Sequence, residues 1–433
     1  MSIAGVDDDV AGPLVRAVSA PGAAAAPDEA AERFARAAWS HLAEPGDALS
    51  GLLVQVFGAP GALERLVRLG DDEKRAAREL SAELTEATGD SPGVELLREA
   101  VLRWRPRRFS HQVIRALSQA QRFGVQLVVP SDPEWPTLLG DLGAHAPHAL
   151  WLRGRREALH VLENSIAIVG ARAATGYGEH VAVELASGLA DRGFAIVSGA
   201  AYGIDGIAHR SALASAGDTI AVLAGGLDRF YPSGHEALLT RVIERGAAIA
   251  EVPCGTAPTR WRFLQRNRLI AAATRATVVV EAGWRSGSLN TAHHALALGR
   301  PVGVVPGPVT SSASAGCHRL LREAPVVCVT NPGEAAELVA DESTGAARGA
   351  PGAPSSSAAA EAAPESSGVA ARVLDALSER SPRTIDNVAA AAGLAVDEVR
   401  ATLGLLDLDG WVRERPTGWL KAAANRREVA RAD

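Results

Sequence analysis

From Ser165 onward the chain repeats one pattern: a short, wholly apolar run, then an amphipathic stretch long enough for a helix. The runs are IAIVG at 166–170, FAIVS at 194–198, TIAVL at 219–223, AAIAE at 247–251, TVVVE at 277–281 and PVGVV at 301–305. Consecutive apolar residues suit a strand buried on both faces, and the long spacers are what parallel neighbours need to return to the same edge. The pattern predicts an α/β fold, a doubly wound parallel sheet with helices on both sides. In such sheets ligands bind beyond the carboxyl ends of the strands. Those ends read Gly170-Ala171-Arg172, Ser198-Gly199, Gly225-Gly226-Leu227-Asp228 and Glu281.

The loop after the second run, SGAAYGIDGIAHR at 198–210, narrows the choice of ligand. Glycines between a buried strand and a helix leave backbone N–H groups open to an anion, so Ser198, Gly199, Ala200 and Gly203 read as a phosphate cradle. Spacing argues against two common phosphate ligands. A dinucleotide fingerprint needs G-x-G-x-x-G after the first strand and an acid ending the second. Here GARAATGYG puts Arg172 at the second glycine, and the second strand ends in Ser198. A Walker loop needs Gly-Lys-Ser or Gly-Lys-Thr, and neither triplet occurs. Asp205, Asp228 and Glu281 would serve a hydrolase as carboxylates near a water or metal. Equally, Asp205 at a helix start complements orphan N–H groups, and Glu281 at a strand end bonds loop amides.

Several blocks then fall in one order: Val169-Gly170-Ala171-Arg172, the Ser198 to Asp205 loop, Gly225-Gly226-Leu227-Asp228 with Tyr231-Pro232, Glu251-Val252-Pro253, Phe263-Leu264-Gln265-Arg266-Asn267-Arg268-Leu269-Ile270, Glu281 with Ser286-Gly287-Ser288, Thr291-Ala292, and Pro306-Gly307. Over roughly 130–335 this order resembles the DNA-processing protein A (DprA/Smf) family. The resemblance implies an extended Rossmann-like core that binds single-stranded DNA, assembles as a homodimer and helps load RecA recombinase onto incoming strands during natural transformation or DNA processing. It implies no catalysis, no cofactor and no metal. On that reading Arg172 grips a phosphate through paired N–H donors, and the backbone from Ser198 to Gly203, ahead of Asp205, supplies further donors. Tyr231 either stacks on a base or fills the core beside Pro232. Arg266, Asn267 and Arg268 either contact phosphates or tie neighbouring loops together.

Two departures from the family pattern bear on binding. Many members carry a lysine just after the Tyr-Pro pair and an asparagine two positions on, where this chain has Ser233 and His235. Arg229 or a partly protonated His235 would then supply the missing cation, or binding leans on dimer avidity. Leu264 stands where a proline is common and alters loop rigidity. The second class of function is an enzyme acting on a nucleotide or nucleoside monophosphate, as in the lysine-decarboxylase-like group. That group uses a P-G-G-x-G-T loop, and the nearest run here is Pro306-Gly307-Pro308, whose second proline removes a backbone donor.

The flanks complete the plan. Residues 1–27 and 341–367 are Ala, Gly, Pro, Ser and acid with few large apolar groups, so both read as disordered, the second as a linker. Between 28 and 130, helical spacing of Leu, Val and Ile interrupted by Phe57-Gly58-Ala59-Pro60-Gly61 predicts a small helical domain of the SAM or helix-hairpin-helix kind. A Rossmann-like domain at 131–340 follows, and 368–425 reads as three helices and a hairpin, a winged helix. Its third helix holds Asp397, Glu398, Asp407 and Asp409 against Arg400 alone, which phosphates would repel, so a protein contact or self-association is expected there.

A net charge of -6 over 433 residues shifts attention from total charge to local basic runs. These are Arg103, Arg105, Arg107 and Arg108 around Trp104, and Arg260, Arg262, Arg266 and Arg268 around Trp261 and Phe263. Each reads as either a solvated helix face or a nucleic-acid contact. Cys254, Cys317 and Cys328 are too scattered for a disulfide framework or metal cage. With no signal-like or membrane-spanning run, the expected compartment is the cytoplasm.

Overall fold

Ala11, Val15 and Val18 stand at the i, i+4, i+7 spacing of one helical face, and all three are buried in helix α1 (Asp8–Val18). Disorder expected over 1–27 therefore fails for this segment, in which Ala11, Val15 and Val18 form one buried stripe while Val10 stays exposed. The computed structural model describes residues 2–3, 6–70, 72–108, 110–343 and 368–422. They form two units, one of 1–118, 259–261 and 364–433, the other of 119–258 and 262–363.

In the first unit a two-residue strand pair, β1 (Ser2–Ile3) with β2 (Val6–Asp7), precedes α1, and α2 (Pro27–Leu42), α3 (Ala48–Arg68), α4 (Glu73–Thr88), α5 (Val94–Trp104) and the start of α6 (Ser110–Phe123) follow. Asp47 caps α3 by accepting from the amides of Leu49 and Ser50, while its other oxygen accepts from Trp104 Nε1 at 3.0 Å. Trp104 in turn meets Trp39 edge to face at 5.5 Å. The Phe57 to Gly61 signal is a break inside α3, where Gly58 takes φ 71°. The basic run at 103–108 is largely spent within the unit. Arg107 is buried between the Glu44 carboxylate and the carbonyl of Ala390, Arg108 donates to the carbonyl of Gly70, and Arg103 lies 3.7 Å from Asp47.

The carboxyl-terminal part of the same unit has the expected winged-helix order: helices Val369–Ala376, Ile385–Ala392 and Val396–Leu408, then the hairpin β12 (Val412–Arg415) and β13 (Gly418–Lys421). Val373, Val388, Val399, Leu403 and Val412 close its core. Its third helix leaves Leu405 and Leu408 65% and 86% exposed among the acids. Beyond Ser343 the linker expected at 341–367 lies outside the described residues.

The second unit is built on nine strands: β3 (Val125–Val128), β4 (Leu150–Gly154), β5 (Ser165–Val169), β6 (Ala195–Ser198), β7 (Thr219–Leu223), β8 (Ala247–Ala250), β9 (Ala276–Val279), β10 (Val302–Val304) and β11 (Val327–Cys328). Their order is β11-β10-β9-β5-β6-β7-β8-β4-β3. The six strands from β5 to β10 are the six apolar runs, all parallel to their neighbours among them. Period-2 alternation sends Ile166 and Ile168 into one core layer and Ala167 and Val169 into the other, so both faces are buried. Helices α7 (Gly176–Ala190), α8 (Ile204–Ala214), α9 (Glu236–Arg245), α10 (Arg260–Ala272), α11 (Gly287–Ala297), α12 (Ala315–Glu323) and α13 (Pro332–Ser343) follow the strands.

Two features depart from the sequence reading. The sheet is mixed, because β4 runs antiparallel to β8 and to β3. The domain starts near 119 rather than 131, since β3 belongs to the sheet. Strand order reverses at β5, which lies between β6 and β9, and this switch point sets the crevice where ligands of such sheets bind. No helix among the described residues is long and apolar enough to cross a membrane. Cys254 and Cys317 are buried free thiols, their pKa values pushed up by burial to about 12 and about 11, and Cys328 is exposed.

Candidate functional site

Two strand ends meet beside the switch point. After β5, Gly170 and Ala171 carry the chain to Arg172, which is exposed. After β6, Ser198 is buried and its hydroxyl donates to the carbonyl of Ile168 on β5 at 2.6 Å, locking the two strand ends together. Gly203 closes the loop at φ 75°, and a Cβ there would collide with the carbonyl of Ala171, so only glycine permits this approach. Ala200 takes φ 53° within the same turn.

Inside the loop sits Asp205, in the first turn of α8. Its carboxylate accepts from the amides of Gly199 at 3.1 Å and Ala201 at 3.4 Å. Two of the donors that the sequence offered to an outside phosphate are thus occupied by an internal carboxylate, because a buried anion needs partners of its own. Burial raises the Asp205 pKa, opposed by the Arg266 charge and by these amides. Arg266 lies against Gly199, where no side chain would fit, and donates to the carbonyl of Val222 at 2.5 Å. Burial lowers its pKa to about 10, with Asp205 opposing and Arg172 adding to the shift.

An aromatic surface covers this buried cluster. The Arg172 guanidinium lies 5.1 Å from the Phe263 ring centroid, that of the buried Arg266 5.8 Å from it, and Tyr231 tilts against Phe263 at 5.5 Å. Tyr231 is 50% exposed, so it faces solvent rather than filling the core beside Pro232. Arg229 and Ser233 are exposed on either side of it, and neither Arg172 nor Arg229 has a carboxylate partner among the described residues.

The remaining expected residues point inward. His235 is buried, its Nδ1 3.0 Å from the carbonyl of Ala200 and its ring 4.8 Å from Tyr202, so Arg229 is the exposed cation of this segment. Arg268 is buried in an ion pair with Glu251, donating to both carboxylate oxygens at 2.5 and 2.6 Å. Asn267 donates to the carbonyl of Gly287 and to Asn290 Oδ1, each at 3.2 Å. In these contacts the Arg266, Asn267 and Arg268 triplet ties loops together. What reaches the surface is Arg172, Arg229, Tyr231 and Ser233, with Tyr202 and Phe263.

The crevice at the switch point is filled by a residue of the chain itself. Glu281, 1% exposed at the end of β9, accepts from the Thr175 amide at 3.0 Å and the Thr175 hydroxyl at 2.7 Å, and its carboxylate lies against Gly178 at the start of α7. That position, a helix N-terminus beyond the first strand of the fold, is where a nucleotide phosphate would otherwise sit. Asp228 is likewise engaged, accepting from the Gly255 amide at 2.7 Å. All three carboxylates considered for hydrolysis therefore serve backbone or hydroxyl donors.

Phe263 stands in the sequence only as an aromatic of the second basic run, and Tyr202 and Tyr177 carry no role there. The spacing held a signal for the first, since Phe263 and Arg266 are i, i+3 on α10 and share a face. For the tyrosines the signal was scarcity. The chain has three, Tyr177, Tyr202 and Tyr231, and all are exposed just beyond carboxyl ends of parallel strands.

The chain matches the family model described as DNA recombination-mediator protein A over residues 126–340, and that of the DprA winged helix domain over 357–418. It is similar to the Putative DNA processing protein DprA of Mycobacterium tuberculosis, 43% identical over 408 residues, 89% of this chain and 95% of that one. It is also similar to Protein Smf of Escherichia coli, 36% identical over 299 residues, 68% and 77% of the two chains. The X-ray structure of DNA processing protein A from Streptococcus pneumoniae superposes with a TM-score of 0.50 at 28% identity, covering 63% of this chain and 95% of that chain.

Proposed function

The chain belongs to the DNA recombination-mediator protein A family, and from that membership we propose that it binds single-stranded DNA on the surface around Arg172. The observation that carries the reading is the exposed Arg172 guanidinium over Phe263 with the exposed Tyr231 alongside. Phosphates pair with Arg172 and Arg229, and bases stack on the aromatic rings, a combination that tolerates any sequence. Duplex DNA, whose base faces are covered, binds more weakly. The protein acts as a homodimer in the cytoplasm, protects incoming strands and helps load RecA recombinase, without catalysing a reaction. The Glu281 carboxylate at the α7 N-terminus speaks against the alternative of an enzyme on nucleotides, because it repels a phosphate from that position.

Arg172→Ala tests the reading. Loss of a charge-assisted contact is worth about 1.5–3 kcal/mol, or roughly 10- to 150-fold in affinity for a single strand. The slope of log affinity against log salt falls by about 0.7. Arg103→Ala, which removes a cation already 3.7 Å from Asp47, has a smaller effect. A folded Arg172→Ala protein with parental affinity and slope would refute the assignment.

The winged helix contributes little to this affinity. Its third helix presents Asp397 and Leu408 to solvent and suits a protein contact. Deleting residues 369–433 is expected to leave single-strand affinity within about tenfold of the parent, a change below ~1.4 kcal/mol, as read by fluorescence anisotropy. A larger loss would place DNA contacts on that domain.

A further inference from the structure

We propose that the β9–α11 loop is a second nucleobase-stacking subsite, in which Trp284 stacks a base of the single strand and Arg285 and Arg319 meet its flanking phosphates. The inference rests on the reading of the Arg172 surface and extends the strand beyond it. The amide of Ser286 donates to the carbonyl of Gly283 at 3.1 Å, so Trp284 and Arg285 occupy the two corners of a turn and project from it. Trp284 is 55% exposed, and Arg285 is exposed beside it. The Arg319 guanidinium, from α12, lies 5.0 Å from the indole ring and shares its charge with Glu323 at 3.9 Å. An indole with a cation against it and much of its surface in water is the arrangement that stacks a base while holding a phosphate.

Two further observations give this patch a ligand rather than an accident of exposure. First, the loop is held before anything binds. The Gly316 amide at the start of α12 donates to the carbonyl of Ala282 at 2.8 Å, and Ser286 caps α11. A stacking surface already ordered costs little entropy to use. Second, its root is joined to that of the Arg172 loop, because the Ala171 amide donates to the carbonyl of Glu281 at 2.7 Å across neighbouring strands. Trp284 thereby continues the exposed aromatic series of Tyr231, Tyr202 and Tyr177 along one edge of one sheet.

The test uses full-length protein and oligothymidylates of about 4 and about 12 nucleotides, the span of single-strand site sizes. Trp284→Ala is expected to weaken the longer oligomer by about 5- to 100-fold while leaving the shorter within about twofold, and Trp284→Phe to restore most of the loss. A 5-iododeoxyuridine photocrosslink on the longer oligomer is expected at Trp284. Arg172→Ala weakens both lengths, so its failure to do so would reject the first site independently. Equal loss on both lengths for Trp284→Ala, or none on either, would overturn the second subsite, as would crosslinks that never include Trp284.

Discussion

Arg266→Ala is expected to destabilise the protein by about 3–5 kcal/mol and to abolish single-strand binding with it, because removing one member of a buried charge cluster leaves the other uncompensated. The arginine is 6% exposed and its guanidinium donates to the carbonyl of Val222. Asp205, equally buried, has its raised pKa held down chiefly by the Arg266 charge. Without that cation Asp205 must either protonate or remain a buried anion with no counter-charge beside it. Both outcomes disturb the amides of Gly199 and Ala201 that it accepts from, and with them the loop under Phe263 and Arg172. Arg266→Lys keeps the charge but lacks the planar fork, so it falls between parent and Ala. Urea unfolding of the three proteins measures the order. A midpoint for Arg266→Ala corresponding to less than ~1 kcal/mol would show that Asp205 does not depend on it. The experiment complements Arg172→Ala, which changes affinity from an exposed position and leaves the buried cluster intact.

What the sequence reveals of this fold follows from where each element is buried. Strands β5 to β10 read clearly because burial on both faces makes them continuous apolar runs. Strands β3 and β4 escape that rule. Their antiparallel place is set by long-range pairing, β4 with β8, a partner about a hundred residues away in the chain, and β3 at the edge with β4. Helix α1 is hidden in an alanine- and glycine-rich segment whose three buried apolar side chains carry too little pattern to outweigh composition. Among site residues, Arg172 was legible because the end of the first parallel strand dictates its exposure. The inward direction of Arg266 and Arg268 was not. Helix α10 is polar on faces that end up buried, and only Val222, Asp205 and Glu251, brought by other elements, turn those charges inside. Nor could spacing reveal that Glu281 fills the switch point, since its partner Thr175 comes from a different strand's loop.

The same burial sets an acid limit on the site. His209 on α8 is 0% exposed beneath the Ser198 loop, with Nδ1 2.7 Å from Thr219 Oγ1, which itself donates to the carbonyl of Ile196. Burial first, then the neighbouring His235, lowers its pKa from 6.5 to about 3. Between those two values the unfolded chain holds a proton on this ring that the folded chain excludes. Stability from His209 is therefore complete above pH 6.5 and is lost as the pH falls toward 3. At ~1.4 kcal/mol per pH unit, lowering the pH from 6.5 to 4 costs about 3 kcal/mol from this residue. His294, lowered by burial to about 4, loses stability over the same window. Asp205 acts in the opposite sense, since its raised pKa makes the folded chain the stronger proton binder. His293, lowered by burial and by the Arg319 charge, acts in the same direction as His209 and His294, and with these three histidines against the Asp205 carboxylate net acid destabilisation is expected. His209→Gln removes the titration while keeping a side-chain amide able to donate toward Thr219. Urea unfolding from pH 7 to 4 is expected to show a parent that weakens steeply and a His209→Gln variant that weakens less, by up to ~3 kcal/mol at the acid end. Parallel pH profiles for the two proteins would mean that the ring protonates in place, and that the floor of the binding loop is open to water.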